Sequence, residues 1–235
     1  MQKNISVFIT TSNSTEWLMK VIWGYNTQTY RNFELILLDN TKFNLDIERI
    51  ESIKKEVFFS IKIQTNEENL TKSHLLNKAI LNCNTDYILL SEGNCIPRHD
   101  FIEQHIKFRQ EGRFLMGGTF QLNNEVSNKI TKENIYLGQC FEVFWLKNNG
   151  MKAFYFNYKV ATYGIKSSIL NFLNYNKKSW DGISISAWKN DILKPNIFEN
   201  EISDENFDLK LNKQFIKNGL KPKQIFYHSV CLKLF

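Results

Sequence analysis

A chain of 235 residues, 43% of them hydrophobic, can bury a sizeable core as one domain, which excludes a disordered chain. Lysine and arginine exceed aspartate and glutamate by 30 to 24. That net +6 suits an anionic ligand, an acidic membrane surface or merely solvated lysines, and no arginine-rich stripe points to nucleic acid.

No apolar run approaches the ~20 residues that cross a bilayer. The text "MQKNISVFITTSN" runs straight into a strand pattern with no leader-like segment. Cys83, Cys95, Cys140 and Cys231 form no Cys-x-x-Cys pair, and His74, His99, His105 and His228 no metal-spaced set. Structural zinc is therefore not expected, and reduced thiols point to the cytoplasm.

In chain order, "ISVFIT" (Ile5 to Thr10) reads as a short strand. Asn13 or Ser14 can cap a helix whose apolar face carries Trp17, Leu18, Val21, Ile22 and Tyr25. "FELILLDN" is a second strand with Asp39 at its carboxyl end, and "FFSIKIQT" a third. A helix carrying Leu75, Leu76, Ala79 and Ile80 leads to a fourth, "DYILL". This alternation predicts an α/β fold with a parallel sheet covered on both faces. Beyond Phe114 the pattern loosens. "RFLMGGTFQL" reads as a strand, "WDGISISAWKNDIL" as a strand then a helix, "FDLKLNKQFIKNGLK" as a helix closed by Gly219, and "KQIFYHSVCLKLF" as a terminal strand.

Four blocks in the right order and with the right gaps resemble family-2 glycosyltransferases of the GT-A fold. "VFITTSN…QTYRNFELILLDNT" is similar to "VIIPTYN…QTYKNFEIIVVDDGS". "NLTKSHLLNKAI" looks like "NxGxxxARNxAI", and "DYILLSEGNCIPRHDFI" like "DYIIFLDGDCIPxPDFI". "GISISAWKNDILKPNIFEN" further resembles "GCNMSFWKSDLIKVNGFDE" of members with a galactosyltransferase-like C-terminal segment. The stretch from about Gln121 to Trp180 carries no likeness.

The resemblance implies a single GT-A-like domain over 1–235, mostly parallel in its central sheet, with a nucleotide-binding half (1–120) and an acceptor-side half (121–235). It implies transfer, with inversion, from a nucleotide-sugar, a UDP-sugar in this reading, to a glycan or lipid-linked glycan. In such a family an aspartate after the second strand receives the base, here Asp39 with Thr11 beside it. An Asp-x-Asp pair holds Mn²⁺ or Mg²⁺ on the diphosphate, and a later carboxylate takes the acceptor's proton.

The departures fall where that chemistry is concentrated. The Asp-Gly-Asp loop is Glu92-Gly93-Asn94; further on the relatives carry "GWGxEDxDFxxRLxxxG" and then a strand ending in a metal-binding "HLY", which aligns with Lys233-Leu234-Phe235. A protonated lysine cannot ligate a metal, so metal dependence is expected to be reduced or lost, with Glu92, Asn94 and Lys233 facing the diphosphate. Counting back from Gly219 without a gap puts Asp208 on the catalytic base; aligning "ED" directly puts Glu205 on its Glu and Asn206 on its Asp, needs a two-residue insertion and leaves Glu205 as the alternative base. A catalytically inactive relative that binds a glycan, a nucleotide or a partner subunit is the alternative. Trp188 suits an acceptor wall or core packing, and the aromatic stretch from Phe141 to Tyr158 an acceptor platform, a membrane-facing patch or core.

Overall fold

The computed structural model describes residues 5–11, 14–39, 46–66, 70–152, 160–173, 184–193 and 207–235. Strands β1 (Ile5–Thr10), β2 (Phe33–Asp39), β3 (Ser60–Thr65) and β4 (Tyr87–Glu92) pair in parallel in the order β3-β2-β1-β4. Helices α1 (Thr15–Asn26), α2 (Ile47–Ile53) and α3 (Lys72–Asn82) make the crossovers. β1, β2 and β4 read as near-continuous apolar runs because both faces are buried, whereas the edge strand β3 alternates, with Ser60 and Lys62 exposed. Ile5, Val7, Ile9, Leu35 and Leu37 join the core on one side of the sheet. The alternate residues Phe8, Ile36 and Leu38 join that on the other, with Leu75, Leu76, Ala79 and Ile80 of α3.

The rest of the chain is β5 (Cys95–Pro97), α4 (Phe101–Phe108), β6 (Arg113–Gln121), α5 (Asn124–Lys129), α6 (Lys132–Tyr136), a 3₁₀ turn (Gln139–Phe141), α7 (Val143–Asn148), α8 (Gly164–Leu173), β7 (Ile185–Trp188), α9 (Lys189–Leu193), α10 (Phe207–Lys217) and β8 (Lys221–Lys233). The eight strands form one sheet, β3-β2-β1-β4-β7-β6-β8-β5. β7 is antiparallel to β4 and β6, and β5 to β8, while β6 and β8 are parallel. The sheet is thus parallel on the β3 side and mixed beyond β4. Just two residues separate β4 from β5, although β5 lies at the far edge. The sheet must therefore curl until that edge returns to the carboxyl end of β4.

A large irregularity in β8 helps this curl. Gly117 pairs with Ile225 and Gly118 with Val230, so residues 226–229 bulge out. A Cβ on Gly118 would lie 2.0 Å from the Phe226 carbonyl oxygen, so no larger residue fits there. On α10, Phe207, Leu211 and Phe215 enter the core, and Gly219 closes the helix at φ +88 as the sequence suggested.

α8 is reversed in polarity. Its polar side meets β8, through Ser168 Oγ to His228 Nε2 (3.3 Å) and the Tyr227 amide donating to Asn171 (3.2 Å). Ile165, Ile169, Phe172 and Leu173 are exposed. Among the described residues, no helix is long and apolar enough to cross a membrane.

One buried polar chain links three elements: Tyr87 Oη to Ser186 Oγ (2.8 Å) and Ser186 Oγ to His105 Nδ1 (2.7 Å). Burial lowers the His105 imidazole to about 3, so it stays neutral in the fold. The unfolded chain protonates near 6.5 and so binds the extra proton between those two values; folding stability is lost as pH falls through that window. Between pH 7 and pH 5 the loss from this group is about 2 kcal/mol. Urea titrations at the two pH values check this: His105→Gln should flatten the decline by that amount, and an unchanged decline would clear His105 of it.

Candidate active site

The parallel register brings three sequence-predicted residues to one edge. Thr10 of β1 lies between Leu38 of β2 and Glu92 of β4. Thr11 and Asp39 therefore end neighbouring strands, with Glu92 on the other flank. Thr11 is pinned to β2: its amide (3.1 Å) and hydroxyl (3.0 Å) both donate to the Leu38 carbonyl. The hydroxyl's lone pairs remain the part that can meet a ligand. Asp39 is half-buried at the end of β2.

The loop after β4 is stitched on both sides. The Gly93 amide donates to the Thr10 carbonyl (3.0 Å). The Leu234 amide donates to the Asn94 carbonyl (2.8 Å), and Asn94 Nδ2 returns a bond to the Leu234 carbonyl (3.2 Å). Asn94 is buried, and its side-chain oxygen faces the Cys95 thiol at 3.7 Å. β5 and β8 pair Cys95 with Lys233. That register sets Lys233 Nζ 2.9 Å from Glu92 Oε2, with both side chains about one-fifth exposed (23% and 19%). Cys95 and Cys231 are wholly buried; the hydrogen bond that the Cys95 thiol donates to Cys231, together with burial, pushes the Cys95 thiol up.

This donor set does not fit a hard divalent cation. Such ions need several open, preferably anionic, oxygens. Here the one carboxylate is already charge-paired with an ammonium, and the amide is committed to Leu234 and Cys95. Among the described residues, no three of His, Cys, Asp and Glu gather as a metal site.

Asp208 is the second residue of α10, and its side chain and the whole of Glu205 lie outside the described residues. The start of α10 can be located. Lys72 Nζ, in the first turn of α3, sits over the Phe207 ring at 4.4 Å. α3 begins at the carboxyl edge of the parallel strands, so α10 starts at that edge too.

Trp188 is placed differently from the acceptor reading. It pairs with Tyr87, at the opposite end of β4 from Glu92, and stacks edge-on against it with ring centres 5.2 Å apart. It packs, and does not face the carboxyl edge of the parallel strands. The aromatic stretch divides: Phe141 is buried, Phe144 is exposed, and residues 153–158 lie outside the described residues.

Sequence reasoning missed Arg98. It is 1% exposed and spends all five N–H donors. Nε (2.6 Å) and one Nη2 hydrogen (3.0 Å) go to Asp100, the other Nη2 hydrogen to the His228 carbonyl (2.6 Å), and Nη1 to the carbonyls of Val160 (3.3 Å) and Thr162 (3.0 Å). The Tyr163 ring covers the guanidinium at 4.2 Å. Arg98 thus clamps β5, the β8 bulge and the approach to α8. The signal was present as Arg-x-Asp directly after the "CIP" of the loop.

A parallel half continued by a curled mixed half is the GT-A-type architecture that the resemblance implied. The chain belongs to glycosyl transferase family 2, whose model matches residues 6–178. No curated protein matches it in sequence.

Solved structures support the fold. Staphylococcus aureus TarS 1–349 superposes with a TM-score of 0.59 at 11% identity, over 98% of this chain and 60% of that one. TarS 1–349 in complex with UDP-GlcNAc gives 0.59 at 11% identity, over 99% of this chain and 59% of that one. Mannosyltransferase PcManGT from Pyrobaculum calidifontis, in complex with GDP-Man and Mn²⁺, gives 0.60 at 12% identity, over 99% and 57%. The chain thus spans under two-thirds of the length of these three neighbours.

Proposed function

We propose that this domain transfers a sugar from a UDP-sugar to a hydroxyl of a glycan or lipid-linked glycan, with inversion at the anomeric carbon. The observation that carries this reading is the shared edge of β1, β2 and β4, which gathers Thr11, Asp39 and Glu92 where open α/β sheets bind ligands. Asp39 accepts from the base with Thr11 beside it, and Glu92, Asn94 and Lys233 face the diphosphate. The acceptor oxygen attacks the anomeric carbon as the bond to the diphosphate breaks, and the electron pair leaves on the phosphate oxygen. Asp208 takes the acceptor's proton, with Glu205 the alternative. Residues 1–120 supply the nucleotide side and 121–235 the acceptor side. Lipid-linked acceptors would bring the domain to a membrane surface, consistent with its net +6.

The paired state of Glu92 also favours a second reading, a relative that binds nucleotide without turnover. Release of free UDP from a panel of UDP-sugars, with and without Mn²⁺ or Mg²⁺ and acceptor glycans, separates the two. Binding without release supports the second; release supports transfer.

Asp39→Ala should weaken UDP binding by ~1–3 kcal/mol, the scale for losing a hydrogen bond to a charged group. An unchanged affinity by calorimetry would remove Asp39 from the site.

A further inference from the structure

We infer that the Lys233 ammonium, held in place by Glu92, is the resident cation of the diphosphate site and takes the position of a divalent metal. The inference rests on the nucleotide-sugar reading above and deepens it. Three observations converge. Lys233 lies 2.9 Å from Glu92, where an ion bound to that carboxylate would otherwise sit. Asn94, on the loop's second ligand position, gives its amide to the Leu234 carbonyl and is buried. The formal charges also match. One carboxylate, one neutral amide and one ammonium sum to zero, as do two carboxylates with a divalent ion.

The arrangement is built by the fold. Lys233 is the last residue of β8, fixed opposite Cys95 by the β5 ladder. The bonds between Asn94 and Leu234 lock the register on the next residue. A divalent ion at Glu92 would have to displace the ammonium and would then be repelled by it. Glu92 is a positioning residue here: it orients the lysine. Lys233 is partly exposed, so its N–H donors can reach a diphosphate oxygen as charge-assisted hydrogen bonds.

The test uses calorimetry of UDP and GDP in excess EDTA and in Mn²⁺, with Mn²⁺ binding read separately by electron paramagnetic resonance. UDP should bind equally well in both buffers, and no Mn²⁺ should be immobilised. Lys233→Met should weaken UDP by roughly tenfold or more while leaving uridine unchanged, and Lys233→Arg should restore part of the loss. Glu92→Gln gives the sharpest contrast. With lysine as the cation, the lysine loses its orienting partner and UDP binding falls by the same factor in EDTA as in Mn²⁺. With a metal as the cation, the change weakens UDP binding in Mn²⁺ alone and overturns the inference. Thermal melts establish that each variant is folded. UDP binding that needs Mn²⁺, or that ignores Lys233→Met, overturns the inference and leaves the glycosyltransferase reading standing. Failure of the folded parent to bind either nucleotide overturns both.

Discussion

Arg98→Met lowers the stability of the domain by about 3–5 kcal/mol, seen as a shift of the urea midpoint at an unchanged slope. The reason is what the substitution strands. Asp100 is buried and loses the guanidinium that faced it. The carbonyls of Val160, Thr162 and His228 lose a donor in the same step. Lysine is not a conservative replacement, because one ammonium cannot reproduce a planar fork serving four groups. The double variant Arg98→Met/Asp100→Leu should recover a large part of the loss, since it removes both charges together. A single variant as stable as the parent would mean that water enters and satisfies these groups.

Asp208→Asn reduces turnover by ~10²-fold or more while UDP affinity stays within error. Asparagine keeps the shape but cannot accept a proton from the acceptor hydroxyl. Phe207, Leu211 and Phe215 anchor α10 in the core, so neither the helix nor its start at the carboxyl edge of the parallel strands should move. Steady-state release of UDP with a productive acceptor measures the first quantity, and calorimetry the second. If Glu205→Gln is the crippling change and Asp208→Asn is mild, the gapless register from Gly219 is the wrong one.

The parallel half was legible because its physics is local. Strands buried on both faces write continuous apolar runs, and α1 and α3 write a helical period. α10 was legible for the same reason, with Gly219 marking its end. β6, β7 and β8 were found as strands, but their directions were not. Pairing depends on partners far along the chain, and nothing in "ISAW" says that it runs against β4. Helices α5 to α7, of five or six residues, are too short for a period to register. At the site, the loop residues and Lys233 were found through the resemblance. That Lys233 contacts Glu92 needed the β5 register, which a three-residue strand does not announce. Arg98 stayed hidden because its partners are mostly main-chain carbonyls, which any sequence has.

The closure of this site over long stretches of chain bears on the order of assembly. Glu92 and Lys233 are 141 positions apart, Asn94 and Leu234 140, and Arg98 and His228 130. Contacts of such separation are the slow ones to form, because the intervening chain must be ordered first. While β1 to β4 are paired and β8 is still free, Glu92 has no counter-charge and Asn94 no strand to hold. Under the proposed function, residues 1–120 would by themselves lack the cation of the diphosphate site, and UDP binding would report on the whole domain having reached its final form.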